Sequence, residues 1–108
     1  MRRTGCIALI AVLLGCGTPR SDVRSRIARA WPGDDNAALR VARCESSFNP
    51  SARNGSHYGL FQLSKRYHEE RATRLGYNWS QMYEVEPNVA VAWDLRSEQG
   101  WRPWSCRP

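Results

Sequence analysis

Residues 42–62 read Ala-Arg-Cys-Glu-Ser-Ser-Phe-Asn-Pro-Ser-Ala-Arg-Asn-Gly-Ser-His-Tyr-Gly-Leu-Phe-Gln. The stretch opens at the end of a helical pattern, in which Ala38, Val41, Ala42 and Glu45 recur at i, i+3, i+4 and i+7. Asn49-Pro50 stops that helix, and residues 49–58 have the composition of turns. Gly59 to Leu63 is a short apolar return. Glu45 therefore shares the face that its helix uses for packing, and no other carboxylate occurs between it and Glu69. Burial disfavours the charged form of an acid and raises its pKa. A carboxyl still protonated near neutral pH can donate a proton to a leaving oxygen. The competing reading is a Glu paired with Arg40 or Arg43 at the helix end, and spacing alone does not separate the two.

Working outward, Asp34, Asp35 and Asn36 supply the N-cap and favourable first-turn charge of this helix. An earlier helix starts at Ser21 or Asp22, sets Val23, Ile27, Ala30 and Trp31 on one apolar face, and ends at Pro32-Gly33. Arg24, Arg26 and Arg29 flank that face as solvated charge, close to a lipid surface if the preceding segment is anchored. Downstream, Ser64 caps a helix of about residues 65–75 that Gly76 closes. Tyr77, Trp79, Met82 and Tyr83 form an aromatic connection. Pro87 suits the first turn of a last helix, with Val89, Ala92 and Trp93 inward, which ends near Gly100. The expected fold is mainly α: a small domain of about four to five helices with an irregular loop or tiny hairpin lining a groove.

The 108 residues allow a single domain. Residues 1–16 place two arginines before roughly ten apolar residues, too few to span a bilayer as a helix. That is the build of an export signal. Its end, Leu13-Leu14-Gly15-Cys16, resembles a bacterial lipobox, which implies diacylation of Cys16; plain cleavage and a retained anchor are the alternatives. Residues 17–33 then read as a tether and first helix, and residues 34–108 as the main domain. Two of the four cysteines belong to the export segment, which leaves Cys44 and Cys106. In an exported chain a disulfide between them is the natural reading, adding about 3–4 kcal/mol in the chain-entropy model.

Basic residues exceed acidic ones by 6, and fifteen of the sixteen are arginine. The excess suits an anionic partner such as a cell-wall polymer or lipid head groups. No basic run with interleaved aromatics marks a nucleic-acid binder. His57 and His68 lack partners at metal-ligand spacing, so neither a metal nor another cofactor is expected.

Glu45-Ser46, Phe48-Asn49-Pro50 and Gly59-Leu60-Phe61-Gln62 resemble the Glu-Ser and Gly-Leu-Met-Gln motifs of lytic transglycosylases with a lysozyme-like fold. Cys44-Glu45-Ser46 with a Trp-rich tail ending in Cys106 also resembles the compact resuscitation-promoting-factor domain and phage lysozyme-like proteins. The likeness covers about residues 36–106. It implies a monomeric, lysozyme-like domain that binds peptidoglycan glycan strands and cleaves between N-acetylmuramic acid and N-acetylglucosamine. On that resemblance Glu45 matches the catalytic acid and Gln62 a residue contacting sugar. A groove serine falls near Asn54 to Ser56. The later Tyr-Asn-Ala-Gly segment of larger transglycosylases is absent, and Tyr58 or Trp93 is the candidate replacement for its aromatic contact.

Glycosidases normally place two carboxylates around the scissile bond. With Glu45 alone, the muramic 6-hydroxyl has to act as the nucleophile, which gives a 1,6-anhydro sugar. The alternatives are hydrolysis assisted by Asp94 or Glu98, and a non-catalytic peptidoglycan-binding lipoprotein on the same fold.

Overall fold

The computed structural model describes residues 19–108. Residues 1–16, expected to be an export segment, and with them Cys16, lie outside the described residues. Four α-helices carry the domain: α1 (Arg20–Ala30), α2 (Asp35–Ser46), α3 (Lys65–Arg74) and α4 (Val85–Gln99). A 3₁₀ helix, Trp79–Tyr83, precedes α4. Between α2 and α3 lies an antiparallel sheet of three two-residue strands, β1 (Arg53–Asn54), β2 (His57–Tyr58) and β3 (Leu63–Ser64). The mainly helical class with a small hairpin region is as the sequence leads one to expect. Among the described residues no helix is long and apolar enough to cross a membrane.

The helices end where local chemistry ends them. α3 closes in a Schellman motif: Gly76 at φ +93° donates to Thr73 O, and the Tyr77 N–H donates to Ala72 O. α1 begins at Arg20 behind Pro19, one residue before the expected cap, and Ser64 and Asp34 occupy cap positions without a side-chain capping bond. Asp34 instead pairs with Arg96 of α4 at 2.6 Å, so the acid at the start of α2 joins two helices.

The core is aromatic at its centre. Trp31 is fully buried and stacks on Trp101 at 5.2 Å, with Trp93 edge-on at 4.8 Å and Phe61 at 5.6 Å. Burial of a side chain of that size contributes about 1.5–3 kcal/mol. Val23 and Ile27 of α1 are fully buried too, whereas Ala30 is exposed. α1 thus packs into the same core as α2 and α4. Nor are its arginines uniformly solvated, because Arg26 makes a bidentate pair with Glu86 of α4. The C-terminal tail folds back over this core: Trp104 is buried, and its Nε1–H donates to Phe61 O at 2.9 Å.

Candidate active site

α2 delivers Glu45 in its last turn. Ala38, Val41 and Ala42 are buried, and half-buried Glu45 continues their row. The chain then leaves the helix through Ser47 at φ +54° and Phe48 at φ +62°, two side-chain-bearing residues in the left-handed region. Such positions cost about 1–3 kcal/mol each and cluster at functional sites. Here they turn the chain sharply enough for Phe48 to enter the core directly after Glu45.

Burial pushes the Glu45 carboxyl above the ordinary carboxylate value. Two weaker influences oppose it: a hydrogen bond from the Cys106 N–H to Oε2 at 3.3 Å, and the charge of His57. The C-terminal end of a helix disfavours an anion in its own right. Glu45 is not paired with Arg40 or Arg43, so the helix-end ion pair is absent.

The donor to Glu45 is held in place covalently. Cys44 and Cys106 are joined, with Cα atoms 5.8 Å apart across a sequence separation of 62. Closing a loop of that size is worth about 4 kcal/mol in the chain-entropy model. Cys106→Ser is expected to lower the melting temperature to that of the reduced parent. If dithiothreitol leaves the parent's melting temperature unchanged, this stabilising role is excluded.

Beside His57 opens a concavity of about 460 Å³, lined by Gln62, Ser64, Tyr67, His68, Arg71 and Trp104 among others. The β1–β2 hairpin sets its edge. Asn54 pairs with His57 and Arg53 with Tyr58, across a two-residue turn with Gly55 at φ +62° and Ser56 next to it, the pattern of a type II′ turn. Gly59 begins the return, and a Cβ there would sit 2.1 Å from Met82 O and 2.2 Å from Asn88 Nδ2. Asn88 is fully buried: its Oδ1 accepts from the Phe61 N–H, and its Nδ2 donates to Tyr58 O and Met82 O. One amide of α4 therefore fixes the loop that carries Gln62.

Gln62 itself lines the concavity, but both of its side-chain donors are committed to Ala52 O and Gly59 O. Only its Oε1 can meet a ligand. Asn54 and Ser56 are exposed on the hairpin. Tyr58 turns to the other side of the sheet, against Trp79 and Tyr83 at 5.7 Å each, with Arg53 over its ring. Trp93 packs on Trp31 and lines a separate concavity with Arg26, Tyr77 and Val85, so it does not join Gln62. The spacing of α4 turns Trp93 inward but cannot say which concavity it reaches.

His57, Tyr67, His68 and Trp104 line the concavity with Gln62, and none of these four was among the sugar-contact residues expected from the sequence. Tyr67 is 71% exposed, next to the His68 ring at 6.4 Å. Burial, followed by the charge of Arg71, pushes the His68 imidazole below its ordinary value and keeps it neutral. His68 Nδ1 and Arg71 Nε are buried without partners, and both residues line the concavity. Buried polar atoms without partners are costly. Among the described residues no three His, Cys, Asp or Glu side chains cluster as metal ligands.

The two carboxylates expected as possible helpers, Asp94 and Glu98, do not line the concavity. Arg71 binds both, Asp94 at 2.5 Å, so α3 clamps these two of the three acids of α4. The bond from Arg71 holds the Glu98 carboxyl below its ordinary value.

The domain is thus helical with a tiny sheet, and Glu45 does not line the polar concavity itself but is linked to it through His57, whose charge acts on the Glu45 carboxyl. Residues 28–106 match the lysozyme-like domain family, and the chain belongs to it. The family is one of glycosidase- and transglycosylase-type domains that act on peptidoglycan glycan outside the cytoplasm. None of the curated proteins or solved structures compared with the chain matches it.

Proposed function

We propose that this domain is a lytic transglycosylase that cleaves the bond from N-acetylmuramic acid to N-acetylglucosamine, with Glu45 as both acid and base. The observation that carries the reading is the half-buried Glu45 carboxyl, raised in pKa, with Asp94 and Glu98 tied to Arg71. The Glu45 proton passes to the glycosidic oxygen as the bond to the muramic C1 breaks. The resulting Glu45 carboxylate takes the proton of the muramic 6-hydroxyl as that oxygen bonds to C1. Glu45 ends the cycle protonated, and no water is consumed. The attacking group already sits on the sugar, so the step gains from proximity. Gln62 Oε1 and the Arg71 guanidinium are suited to hold sugar hydroxyls, and Tyr67 and Trp104 offer apolar surface to ring faces.

Hydrolysis would need a second carboxylate free to activate water, roughly 5–10 Å from the acid. The expected products are therefore 1,6-anhydromuropeptides, one water lighter than hydrolytic products. Mass spectrometry of a digest of purified peptidoglycan decides this. Reducing-end muramic acid as the sole product would show that Asp94 or Glu98 leaves Arg71 and serves as a base.

We assign residues 1–16 to export and Cys16 to acylation, on the Leu-Leu-Gly-Cys ending. Cys16→Ser is expected to move the protein from the membrane fraction to the soluble fraction. Unchanged sedimentation with membranes would replace acylation by a retained anchor, and a soluble parent would replace it by plain cleavage.

A further inference from the structure

The outer face of α1 and α2 carries a second concavity, about 620 Å³, ringed by Arg20, Arg24, Arg40 and Arg43 over a floor that includes Leu39 and Phe48. All four arginines are exposed, and no carboxylate lines the groove. Among the described residues none of the four has an ion-pair partner, whereas Arg26, Arg71 and Arg96 are each paired with acids. Four guanidinium groups sharing one hollow repel one another, and the sequence spends no acid to offset them. Arg24 stands over the Phe48 ring, its guanidinium carbon 5.9 Å from the ring centroid.

This groove faces away from the candidate acid. Leu39, Arg40 and Arg43 lie on one side of α2, and Ala38, Val41, Ala42 and Glu45 lie on the other. At 3.6 residues per turn, Arg40 and Glu45 point about 140° apart. The groove is therefore not an extension of the glycan site. Its rim also begins at Arg20, the first residue of α1, only four positions after Cys16. Four residues span at most about 14 Å.

We infer that the Arg20–Arg24–Arg40–Arg43 groove docks on anionic phospholipid, holding α2 between the bilayer and the wall with Glu45 turned toward the wall. Guanidinium forks match phosphate oxygens bidentately. The floor of Leu39 and Phe48 suits the apolar border below a headgroup, a feature that a bare polyanion would not use. An anionic surface draws each nearby arginine strongly enough for roughly a five-fold change in partitioning. The orientation of Glu45 rests on the proposed function, but the docking itself is tested without any cleavage assay.

The test is flotation of the full chain carrying Cys16→Ser with two kinds of vesicle, mixed phosphatidylglycerol–phosphatidylcholine and pure phosphatidylcholine. The apolar N-terminal segment contributes to both, so the difference between them reports the groove. Stronger binding to the phosphatidylglycerol vesicles, weakened by salt, is expected. Arg24→Gln/Arg40→Gln/Arg43→Gln should reduce that preference by roughly 100-fold with the melting temperature unchanged, and Arg40→Gln alone by about five-fold. Arg29→Gln/Arg66→Gln/Arg74→Gln, equal in net charge but outside the groove, should retain most of it. Equal losses in the two triple variants would reduce the effect to net charge and overturn the inference. Binding that ignores phosphatidylglycerol overturns it as well, as does retention by an isolated anionic wall polymer with none by vesicles.

Discussion

Glu45→Gln is expected to slow glycan cleavage by about 10²–10⁴-fold, the scale of losing a positioned proton donor. The substitution keeps the shape of the side chain, and its Oε1 can still accept the Cys106 N–H, so the fold should survive. Stability even moves the favourable way. The folded state raises the Glu45 pKa, so it holds this proton more tightly than the unfolded chain does. That contribution is fully present below the unfolded value and is lost as pH rises through the folded value, where the buried anion becomes a cost. At neutral pH the glutamine variant should therefore melt no lower than the parent. The same raised pKa sets the alkaline limb of activity: cleavage should fall as pH climbs through a value above the usual carboxylate range. Parent and variant are compared by release of soluble muropeptides from purified peptidoglycan. Equal rates would remove Glu45 from the chemistry and favour a peptidoglycan-binding module on this fold.

The second large effect concerns stability. Gly59→Ala places a methyl group inside the contact distance of Met82 O and of the Asn88 amide, in a backbone conformation at φ +77° that L side chains rarely adopt. The left-handed conformation alone costs about 1–2 kcal/mol, and overpacking a tight site adds about 1–3 kcal/mol. Relieving the overlap would also pull Asn88 from three backbone partners, each costly to leave unpaired when buried. A loss of about 3–5 kcal/mol is a large share of a small domain's stability. Gly55→Ala is the internal control: its φ is also positive, but no atom lies within 4 Å of the added carbon. It should cost only the backbone part, about 1–2 kcal/mol. Urea unfolding of the three proteins separates the terms. Similar midpoints for the Gly59 and Gly55 variants would mean that the Met82–Asn88 contact yields readily.

The sequence by itself determined what depends on near neighbours. Apolar residues at helical spacing located α2 and its buried row, because side chains three and four apart share a face whatever surrounds the helix. Pro32-Gly33, Asn49-Pro50 and Gly76 marked the breaks, since their backbones cannot continue a helix or favour leaving one. Cys44 and Cys106 could be paired by elimination. The row through Ala38, Val41 and Ala42 set Glu45 on the packing face but left open an ion pair at the helix end, and in the structure Glu45 is half-buried and unpaired with Arg40 or Arg43.

Tertiary structure alone decided what depends on elements far apart in the chain. Only packing could show that Trp31 ties α1 into the core, because its partners come from positions 61, 93 and 101. Only the fold could bring His57 to Glu45, commit the donors of Gln62 to Ala52 O and Gly59 O, and turn Trp93 to a different concavity. Arg71 likewise looks like one more surface arginine until α3 is laid along α4 and its guanidinium meets Asp94 and Glu98. Asn88 gives no signal in sequence, because a buried amide is recognised by the three backbone groups it satisfies, and those lie 6 to 30 residues away. Periodicity reports which face of an element is apolar. What each side chain then meets depends on how the elements cross, and that is set by the packed core as a whole.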